Sequence, residues 1–324
     1  MKGILKRGIQ SGLSLTWTLG KIIFPITLIV TILQYTPVLP WIIDWIAPLM
    51  TLLGLPGEAA VPLVLGNALN LYAGIGAIVS FDFTVKEVFI LALMLSFSHN
   101  LFIESAVASK VGVKFWIIIA VRVGLAVVSA VLVNLFWQGG KEMAQYGLIS
   151  NEGPEPTGWG EIVLTGLETA ALSIVQLAAI VIPLMIVMQY LREHKWMDWM
   201  SQKMAPFTKM LGVKENASMT LVAGLTIGLA YGAGLMIQAV KEDGVSRKDM
   251  TLVLIFLVTC HSVVEDTLVF VPLGIPVLPL LIIRLTTAVI LTATIAYIWN
   301  KAEKNKKKDT RKDAVTHEHT YDSI

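Results

Sequence analysis

Two short stretches of the sequence each place a histidine five residues before a carboxylate. The stretch SFSHNLFIESAVAS, residues 96–109, contains His99 and Glu104, and TCHSVVEDTLVF, residues 259–270, contains His261 and Asp266. The imidazole of histidine changes its charge near neutral pH, so it can exchange protons. Imidazole and carboxylate groups together also bind divalent metal ions. The two stretches therefore predict proton or metal chemistry at two related places in the chain.

These polar groups belong to a strongly apolar chain. Hydrophobic residues make up 55% of the sequence, charged residues 15%, and the mean hydropathy is +0.72, whereas soluble domains are about 25% charged. Because lipid tolerates no unpaired backbone, apolar runs long enough to cross about 30 Å of hydrocarbon are predicted to be helices. Such runs lie near residues 13–35, 59–80, 114–136, 162–190, 216–240 and 280–299. The fold class is therefore an all-α integral membrane protein.

The two halves of the chain repeat one another. A shift of 158 residues aligns Pro25 with Pro183 and Gly66 with Gly224, and a shift of 162 residues then aligns the two histidine stretches. We interpret residues 1–137 as a first repeat, 138–161 as an extracytoplasmic linker, 162–299 as a second repeat and 300–324 as a basic, disordered cytoplasmic tail. The single cysteine, Cys260, excludes an intramolecular disulfide.

Loop charges indicate that the repeats are inverted with respect to each other. The basic N-terminus and the basic segment near residues 190–203 suit the cytoplasm, so the matched helices 13–35 and 162–190 cross in opposite directions. Each half is then about three transmembrane helices, an interfacial helix with tryptophans, and a re-entrant or broken helical hairpin. We assign the hairpins to residues 87–110 and 249–273, which leaves Lys86, Lys110 and Lys114 cytoplasmic. The basic loop 241–249 fits this arrangement poorly, and a parallel eight-helix arrangement is the alternative.

Hairpin ends that meet near the middle of the membrane predict a buried polar site, because ionisable groups at that depth face protein or water. The glycine-rich segments 66–76 and 223–234 lie in the neighbouring helices and add polar groups of their own. Glu265 matches Ile103 and so makes the two halves unequal. The predicted substrate-binding residues are Asn67, Asn70, Tyr72, His99, Asn100, Glu104, Thr226, Tyr231, His261, Ser262, Glu265 and Asp266.

A structural explanation of the same residues stays open. The histidines can be satisfied by backbone carbonyls at a helix break, and the carboxylates can be partners of two arginines, Arg122 and Arg284. The arginines can also extend to the membrane surface. The glycines are more typical of close helix packing than of ligand contact.

From about residue 8 to 299 the chain resembles the nucleoside recognition, or Gate-domain, membrane proteins. The resemblance lies in the pattern G-[IL]-x-[ST/A] before Pro25 and Pro183 and in the paired glycine-rich segments. It implies a relation to the transport cores of concentrative nucleoside transporters and of bacterial ferrous-iron transporters, and to spore-maturation membrane proteins. The sequence departs from the iron transporters, since it has no P-loop pattern and only Cys260.

The function predicted from these features is secondary transport of a small polar solute, with a nucleoside-like compound as one candidate, coupled to protons or another cation. The alternatives are a divalent metal-ion permease and a membrane component of a multi-protein complex. We expect no enzymatic activity, because no nucleophile stands with its base in a known motif, and no cofactor. The expected partners are the lipid bilayer, the solute or ion and a further copy of the chain, but not nucleic acid. The expected location is the plasma membrane, with both termini cytoplasmic.

Overall fold

The computed structural model describes residues 2–110, 112–146, 156, 158–229 and 244–321. Within these residues the protein is helical and contains no β-strand, which confirms the predicted all-α fold class. Five helical segments are long and apolar enough to cross a membrane. The thirteen α-helices of the described residues are α1 (Lys2–Gln34), α2 (Val38–Leu52), α3 (Ala60–Ala68), α4 (Leu71–Ile78), α5 (Val85–Ser98), α6 (Leu101–Lys110), α7 (Phe115–Phe136), α8 (Trp159–Glu193), α9 (Trp196–Met210), α10 (Ser218–Ile227), α11 (Arg247–Thr259), α12 (Glu265–Leu268) and α13 (Val277–Tyr321).

The long helices α1 and α8 pack against each other in antiparallel directions. A Cβ added at Gly8 would lie 2.6 Å from Cα of Ile186, and one added at Gly12 would lie 2.8 Å from Cα of Ile182. Glycine is required at these two positions because the backbones approach so closely, as is common between helices in membranes. At the end of the pair, Arg7 and Glu193 form an ion pair of 2.5 Å.

One side of the molecule, which we call the tail face, carries Gly112, Arg247 and Asn300. A Cβ added at Gly112 would lie 3.4 Å from Nε of Arg247, and Nζ of Lys248 donates to Oδ1 of Asn300 at 2.5 Å. α13 continues beyond this face to Tyr321, across most of the segment predicted to be a disordered tail. The helix persists there because lysine, glutamate and alanine are good helix formers.

The opposite side, the linker face, carries Gln34, Lys86, Gly140 and Gln145. The backbone N–H of Lys86 donates to the carbonyl of Gly140 at 2.8 Å, and a Cβ added at Gly274 would lie 2.8 Å from the carbonyl oxygen of Gln145. Gln34, at the end of α1, hydrogen-bonds the carbonyl of Ser80. α1 therefore starts on the tail face and ends on the linker face.

The prediction that residues 87–110 form a re-entrant hairpin is wrong. The helix breaks at His99 and Asn100 as expected, but α5 and α6 together form one 26-residue segment able to span the membrane. Nζ of Lys86 contacts the carbonyl of Asn134 at the end of α7, while Lys110 precedes the start of α7. α7 has 22 residues, about 33 Å at 1.5 Å per residue. Lys86 and Lys110 therefore lie on opposite faces.

The prediction that residues 249–273 form a re-entrant hairpin is wrong for the same reason. This segment starts at Arg247 on the tail face and reaches the linker face before Gly274. The caps of α5 and α11 occupy matched positions. Thr84 accepts from the backbone N–H of Glu87, and Ser246 accepts from that of Asp249. Such side-chain caps fix where a helix begins, so each buried crossing segment starts at an equivalent residue.

The re-entrant hairpin of the first half is instead formed by α3 and α4. These helices have 9 and 8 residues, about 12–14 Å each, which is too short to cross the membrane. A Cβ added at Gly74 would lie 3.1 Å from Cα of Gly66, so the two legs touch. α2 and α3 meet at an angle of 93°. In the second half α10 corresponds to α3, and residues 230–243, which would hold the second leg, lie outside the described residues.

Matched segments of the two halves run in opposite directions. α1 and α8 are antiparallel, the α5–α6 segment runs from the linker face to the tail face and α11–α12 runs back, and α7 and α13 are likewise opposed. An inverted repeat requires matched segments to run in opposite directions, and the parallel eight-helix arrangement would make them run in the same direction. The inverted repeat itself stays a prediction. The described end of the basic loop, with Arg247 and Lys248, lies on the tail face, beside Gly112 and Asn300.

Candidate functional site

The site lies where the two crossing segments are interrupted. α5 ends at Ser98 and α6 begins at Leu101, with Asn100 between them at a φ of 50°. α11 ends at Thr259, and Ser262 follows at a φ of 41°. A left-handed residue stops a helix, and asparagine adopts this conformation more easily than most residues. Both interruptions therefore expose backbone groups near the middle of the molecule.

The first hairpin and α10 satisfy the backbone groups that the breaks leave free. The N–H of Asn100 donates to the carbonyl of Gly66 at 2.9 Å, and the N–H of Ser262 donates to the carbonyl of Gly224 at 3.2 Å. A Cβ added at Gly66 would lie 2.4 Å from Leu95, and one added at Gly224 would lie 2.3 Å from Leu257. The glycines thus let each hairpin leg approach its broken segment closely. The two contacts occur at matched positions in the two halves.

Each histidine is held by the helix turn that precedes it. Nδ1 of His99 lies 2.7 Å from the carbonyl oxygen of Leu95, and Nδ1 of His261 lies 2.8 Å from that of Leu257. A carbonyl only accepts hydrogen bonds, so Nδ1 carries a proton in both rings. In the neutral imidazole the lone pair is then on Nε2. Both side chains are buried.

The Nε2 atoms face the two carboxylates. Nε2 of His261 lies 3.3 Å from Oε1 of Glu104 and 3.6 Å from Oδ2 of Asp266. Nε2 of His99 lies 3.6 Å and 4.0 Å from the same two oxygens. The ring centroids are 5.2 Å apart. We call these four side chains the histidine–carboxylate cluster. It joins residues from both halves of the chain.

Two fully buried arginines hold the outer side of the cluster. Arg122 donates from Nε to the carbonyl of Phe97 at 2.7 Å and from Nη2 to the carbonyl of His99 at 2.6 Å, and Nη2 lies 2.8 Å from Oε2 of Glu104. An arginine buried at this depth is expected to be paired. Arg122 neutralises a carboxylate and also binds the carbonyls at the helix break, so it does not extend to the surface.

Arg284 plays the matching part in the second half. Its Nη2 donates to the carbonyl of His261 at 3.0 Å and to Oδ2 of Asp266 at 3.3 Å, and its Nη1 donates to Oγ1 of Thr267 at 3.3 Å. Sequence reasoning missed Thr267, although the shift of 162 residues pairs it with Ser105, a second buried hydroxyl. The geometry is therefore consistent with the structural explanation, in which the arginines are partners of the carboxylates. The inner sides of the histidine–carboxylate cluster still face each other.

Glu265 and Tyr72 connect the first hairpin to the second broken segment. The Tyr72 hydroxyl, on α4, donates to Oε1 of Glu265 at 2.5 Å. Ile103, at the position that matches Glu265, is 56% exposed. The sequence predicts that Glu265 makes the two halves unequal. In the structure this difference is the hydrogen bond between Glu265 and Tyr72, which has no counterpart at Ile103.

Three of the remaining predicted residues make their hydrogen bonds within their own helices. Asn70 caps α4 by accepting from the N–H of Ala73, Asn67 donates to the carbonyl of Leu63, and Thr226 donates to that of Val222. Among the described residues none of the three hydrogen-bonds a member of the cluster. Tyr231 lies outside the described residues. The structure thus brings together His99, Asn100, Glu104, His261, Ser262 and Asp266 with both arginines, and Tyr72 with Glu265.

The family of the chain follows from its sequence. The family model described as "Gate: Nucleoside recognition" matches residues 16–121 and 174–283. These two ranges contain both halves of the histidine–carboxylate cluster. The chain belongs to the Gate family of membrane proteins.

The chain is similar to one relative and to two solved structures. "Uncharacterized membrane protein YvoD" of Bacillus subtilis (strain 168) is 61% identical over 301 residues, which cover 93% of this chain and 96% of that protein. A solved structure of CNTnw in an inward-facing substrate-bound state is similar at a TM-score of 0.43 and 15% identity, over 85% of this chain and 73% of that chain. A doubly substituted CNTnw in an outward-facing state has a TM-score of 0.43 and 14% identity, over 86% and 73%.

Proposed function

We propose that the protein is a secondary transporter that carries a small polar solute through the space between the hairpin ends and the two helix breaks. One observation carries this proposal: two crossing segments of opposite direction are both interrupted, and a buried polar cluster lies between the interruptions. Ionisable groups at membrane depth are typical of substrate and ion pathways. Interrupted helices at the middle of the membrane are typical binding elements of transporters built from inverted repeats.

The inverted arrangement supplies a mechanism for access from both sides. The first hairpin reaches the cluster from the linker face and α10 reaches it from the tail face, because Gly66 and Gly224 hold equivalent positions beside the two breaks. Movement of the first hairpin would open the cluster toward the linker face while α10 keeps it closed toward the tail face. Opening toward each face in turn is the basis of alternating access.

The orientation that we propose puts the tail face in the cytoplasm of a cell whose plasma membrane holds the protein. Lys110, Lys114, Lys214, Arg247 and Lys248 are on or near that face, while the linker face carries Lys86 and Lys141. Cytoplasmic loops carry an excess of lysine and arginine. Both termini are then cytoplasmic.

A ligand screen followed by transport tests this proposal. The purified protein should gain thermal stability with one class among nucleosides, nucleobases, small acids and divalent metal ions, since a ligand of the native state raises the unfolding temperature. The same compound should enter proteoliposomes, faster when a proton or sodium gradient is imposed. His99→Ala and His261→Ala should each abolish the ligand-induced shift while the protein stays folded. His194→Ala is the matched control, because Nδ1 of His194 makes the same bond to a carbonyl on the exposed end of α8.

Binding without uptake would contradict the transporter proposal, and uptake that both histidine variants keep would contradict the assignment of the site. A partner that copurifies with the protein, together with the absence of flux for any stabilising ligand, would favour a component of a multi-protein complex instead.

A divalent metal-ion permease is the second candidate function. The observation that favours it is the convergence of two Nε2 atoms and two carboxylate oxygens, the donor set that imidazole-binding divalent ions prefer. Stabilisation by metal ions but by no organic solute in the same screen would select this candidate.

A further inference from the structure

We propose that the histidine–carboxylate cluster binds one divalent transition-metal ion between His99, His261, Glu104 and Asp266. This site is the one that we propose for transport, so the proposal rests on that function and adds the class of ion that binds. The ion can bind whether or not the protein transports it.

The arrangement of the donor atoms is the first argument. The side-chain donor atoms of His99, His261 and Asp266 all lie within 4.8 Å of one another. The four distances between Nε2 atoms and carboxylate oxygens range from 3.3 to 4.0 Å. Ligands about 2.0–2.1 Å from a tetrahedral zinc ion are about 3.3 Å from each other. The four nitrogen–oxygen distances therefore exceed this spacing by at most about 0.7 Å.

The protonation of the imidazoles is the second argument. Because both Nδ1–H groups donate to carbonyl oxygens, the neutral rings turn two Nε2 lone pairs toward two carboxylates. Four electron-rich atoms that face one another repel unless a proton or a metal ion lies between them, and the same geometry suits either. Nε2 of His261 is buried and has no hydrogen-bond partner of acceptable geometry among the described residues. Its lone pair is directed at the carboxylates of Glu104 and Asp266, where it can bind a metal ion.

The surroundings match the second shell of a metal site. Metal-binding histidines usually donate their other N–H to a carbonyl or carboxylate, and binding carboxylates are themselves hydrogen-bonded. Leu95 and Leu257 supply the carbonyls, Arg122 holds the Oε2 of Glu104, and Arg284 holds Asp266. The Oε1 of Glu104 remains directed at the imidazoles. These contacts orient all four ligands before an ion arrives.

The donor set and the charge indicate which ions bind and how firmly. Two imidazoles favour zinc, cobalt, nickel, copper or iron over magnesium and calcium, which prefer oxygen ligands alone. The two arginines already balance the two carboxylates, so a bound ion adds net positive charge in a buried place. We therefore expect weaker binding than in a structural zinc site, as suits an ion that is released again.

Metal titration of the full-length protein tests the inference. The protein, free of any affinity tag, should be stripped with a chelator and then titrated with Zn²⁺, with Co²⁺ as a spectroscopic probe and with Mg²⁺ as the negative control. We expect one saturable Zn²⁺ site, a visible Co²⁺ spectrum of low-symmetry coordination, and no response to Mg²⁺. His261→Gln and Asp266→Asn should each weaken binding by at least about 100-fold, since loss of second-shell partners alone costs 10–100-fold.

Two controls separate this site from others on the chain. The sequence near the C-terminus also contains His317 and His319, so a variant with both changed to alanine should bind Zn²⁺ as the parent does. His194→Ala should also leave binding unchanged. X-ray absorption of the zinc-loaded parent should show two imidazole nitrogens and carboxylate oxygens at about 2.0–2.2 Å, a result that does not depend on how the variants fold.

Absence of saturable binding by the parent, loss of binding on removal of the tail histidines, or absorption data without imidazole would each overturn the inference. If Zn²⁺ does not bind but an organic solute stabilises the protein and is transported, the inference fails and the proposed function stands. If Zn²⁺ binds and no solute or ion is transported, the reverse holds.

Discussion

Replacing Arg122 by methionine should destabilise the protein more than any change at the surface. The side chain is fully buried, it binds the carbonyls of Phe97 and His99, and it lies 2.8 Å from Glu104. Methionine keeps much of the volume but leaves a buried carboxylate without its cation. Removing one partner of a buried ion pair costs about 3–5 kcal/mol, so we expect a loss of that size in the free energy of unfolding.

A double variant separates the charge from the hydrogen bonds. Arg122→Met with Glu104→Gln removes both charges and should recover part of the loss, because the remaining cost is that of two carbonyls without donors, about 1–3 kcal/mol each. The two single variants and the double variant form a cycle whose interaction energy should be at least about 1–2 kcal/mol. Arg122→Lys should restore the charge but not the two-sided contact, since the ammonium lacks the planar fork of a guanidinium.

Unfolding in mixed detergent micelles, followed by circular dichroism, measures these free energies. Arg7→Met is the matched control, because Arg7 pairs with Glu193 at the exposed end of α1 and α8 and should leave the midpoint nearly unchanged. A loss below about 1 kcal/mol for Arg122→Met would refute the argument that a buried ion pair holds the break in α5–α6 together.

Three other changes probe the hairpin, the break and the crossing. Asn100→Val should lower stability by about 1–2 kcal/mol while Asn100→Gly should not, because only glycine adopts the positive φ freely; equal melting temperatures would contradict this. Gly74→Val should force the hairpin legs apart, since its Cβ would lie 3.0 Å from a carbonyl oxygen of α3, and a variant with unchanged melting would show that the legs do not touch. In a Cys260→Ala background, cysteines at Lys86 and Lys110 should react with an impermeant reagent from opposite faces, because the α5–α6 segment crosses between them; reaction of both from one face would restore the re-entrant assignment.

The sequence predicts the helical fold, the related halves and the position of the helix breaks. These features depend on composition and on the constant residue spacing between matched positions of the two halves. Pro25 with Pro183 and His99 with His261 keep their spacing over most of the chain. Composition alone also identifies the apolar segments, because lipid requires them to be long and helical.

The sequence does not predict which segment of each half turns back. Residues 59–80 are as apolar as a crossing helix, and only the short legs around Gly66 and Gly74 show that they form a hairpin. A polar interruption is compatible both with a turn and with a broken helix, so His99 and Asn100 could not decide between them. The contact of Lys86 with the far end of α7 decides it.

The site was predicted in part. Histidine and carboxylate pairs are visible in the sequence because the repeat aligns them, and the arginines follow at the same shift. The carbonyl groups of Phe97 and Leu95 cannot be identified in the sequence, because a residue of any type could supply a carbonyl. Asn67, Asn70 and Thr226 are predicted to line the site from their polarity. In the structure each makes a hydrogen bond with its own helix, as short polar side chains often do, and their part in binding stays a prediction.

The central claim is that one buried site opens to each face in turn. The most direct measurement is the reaction of a cysteine at Asn67, in the Cys260→Ala background, with an impermeant thiol reagent added to either side of sealed vesicles. Asn67 lies at the end of the first hairpin, next to the contact between Gly66 and Asn100. The account predicts reaction from both sides, reduced on both when the stabilising ligand is bound. Reaction from only one side, with and without ligand, would contradict it.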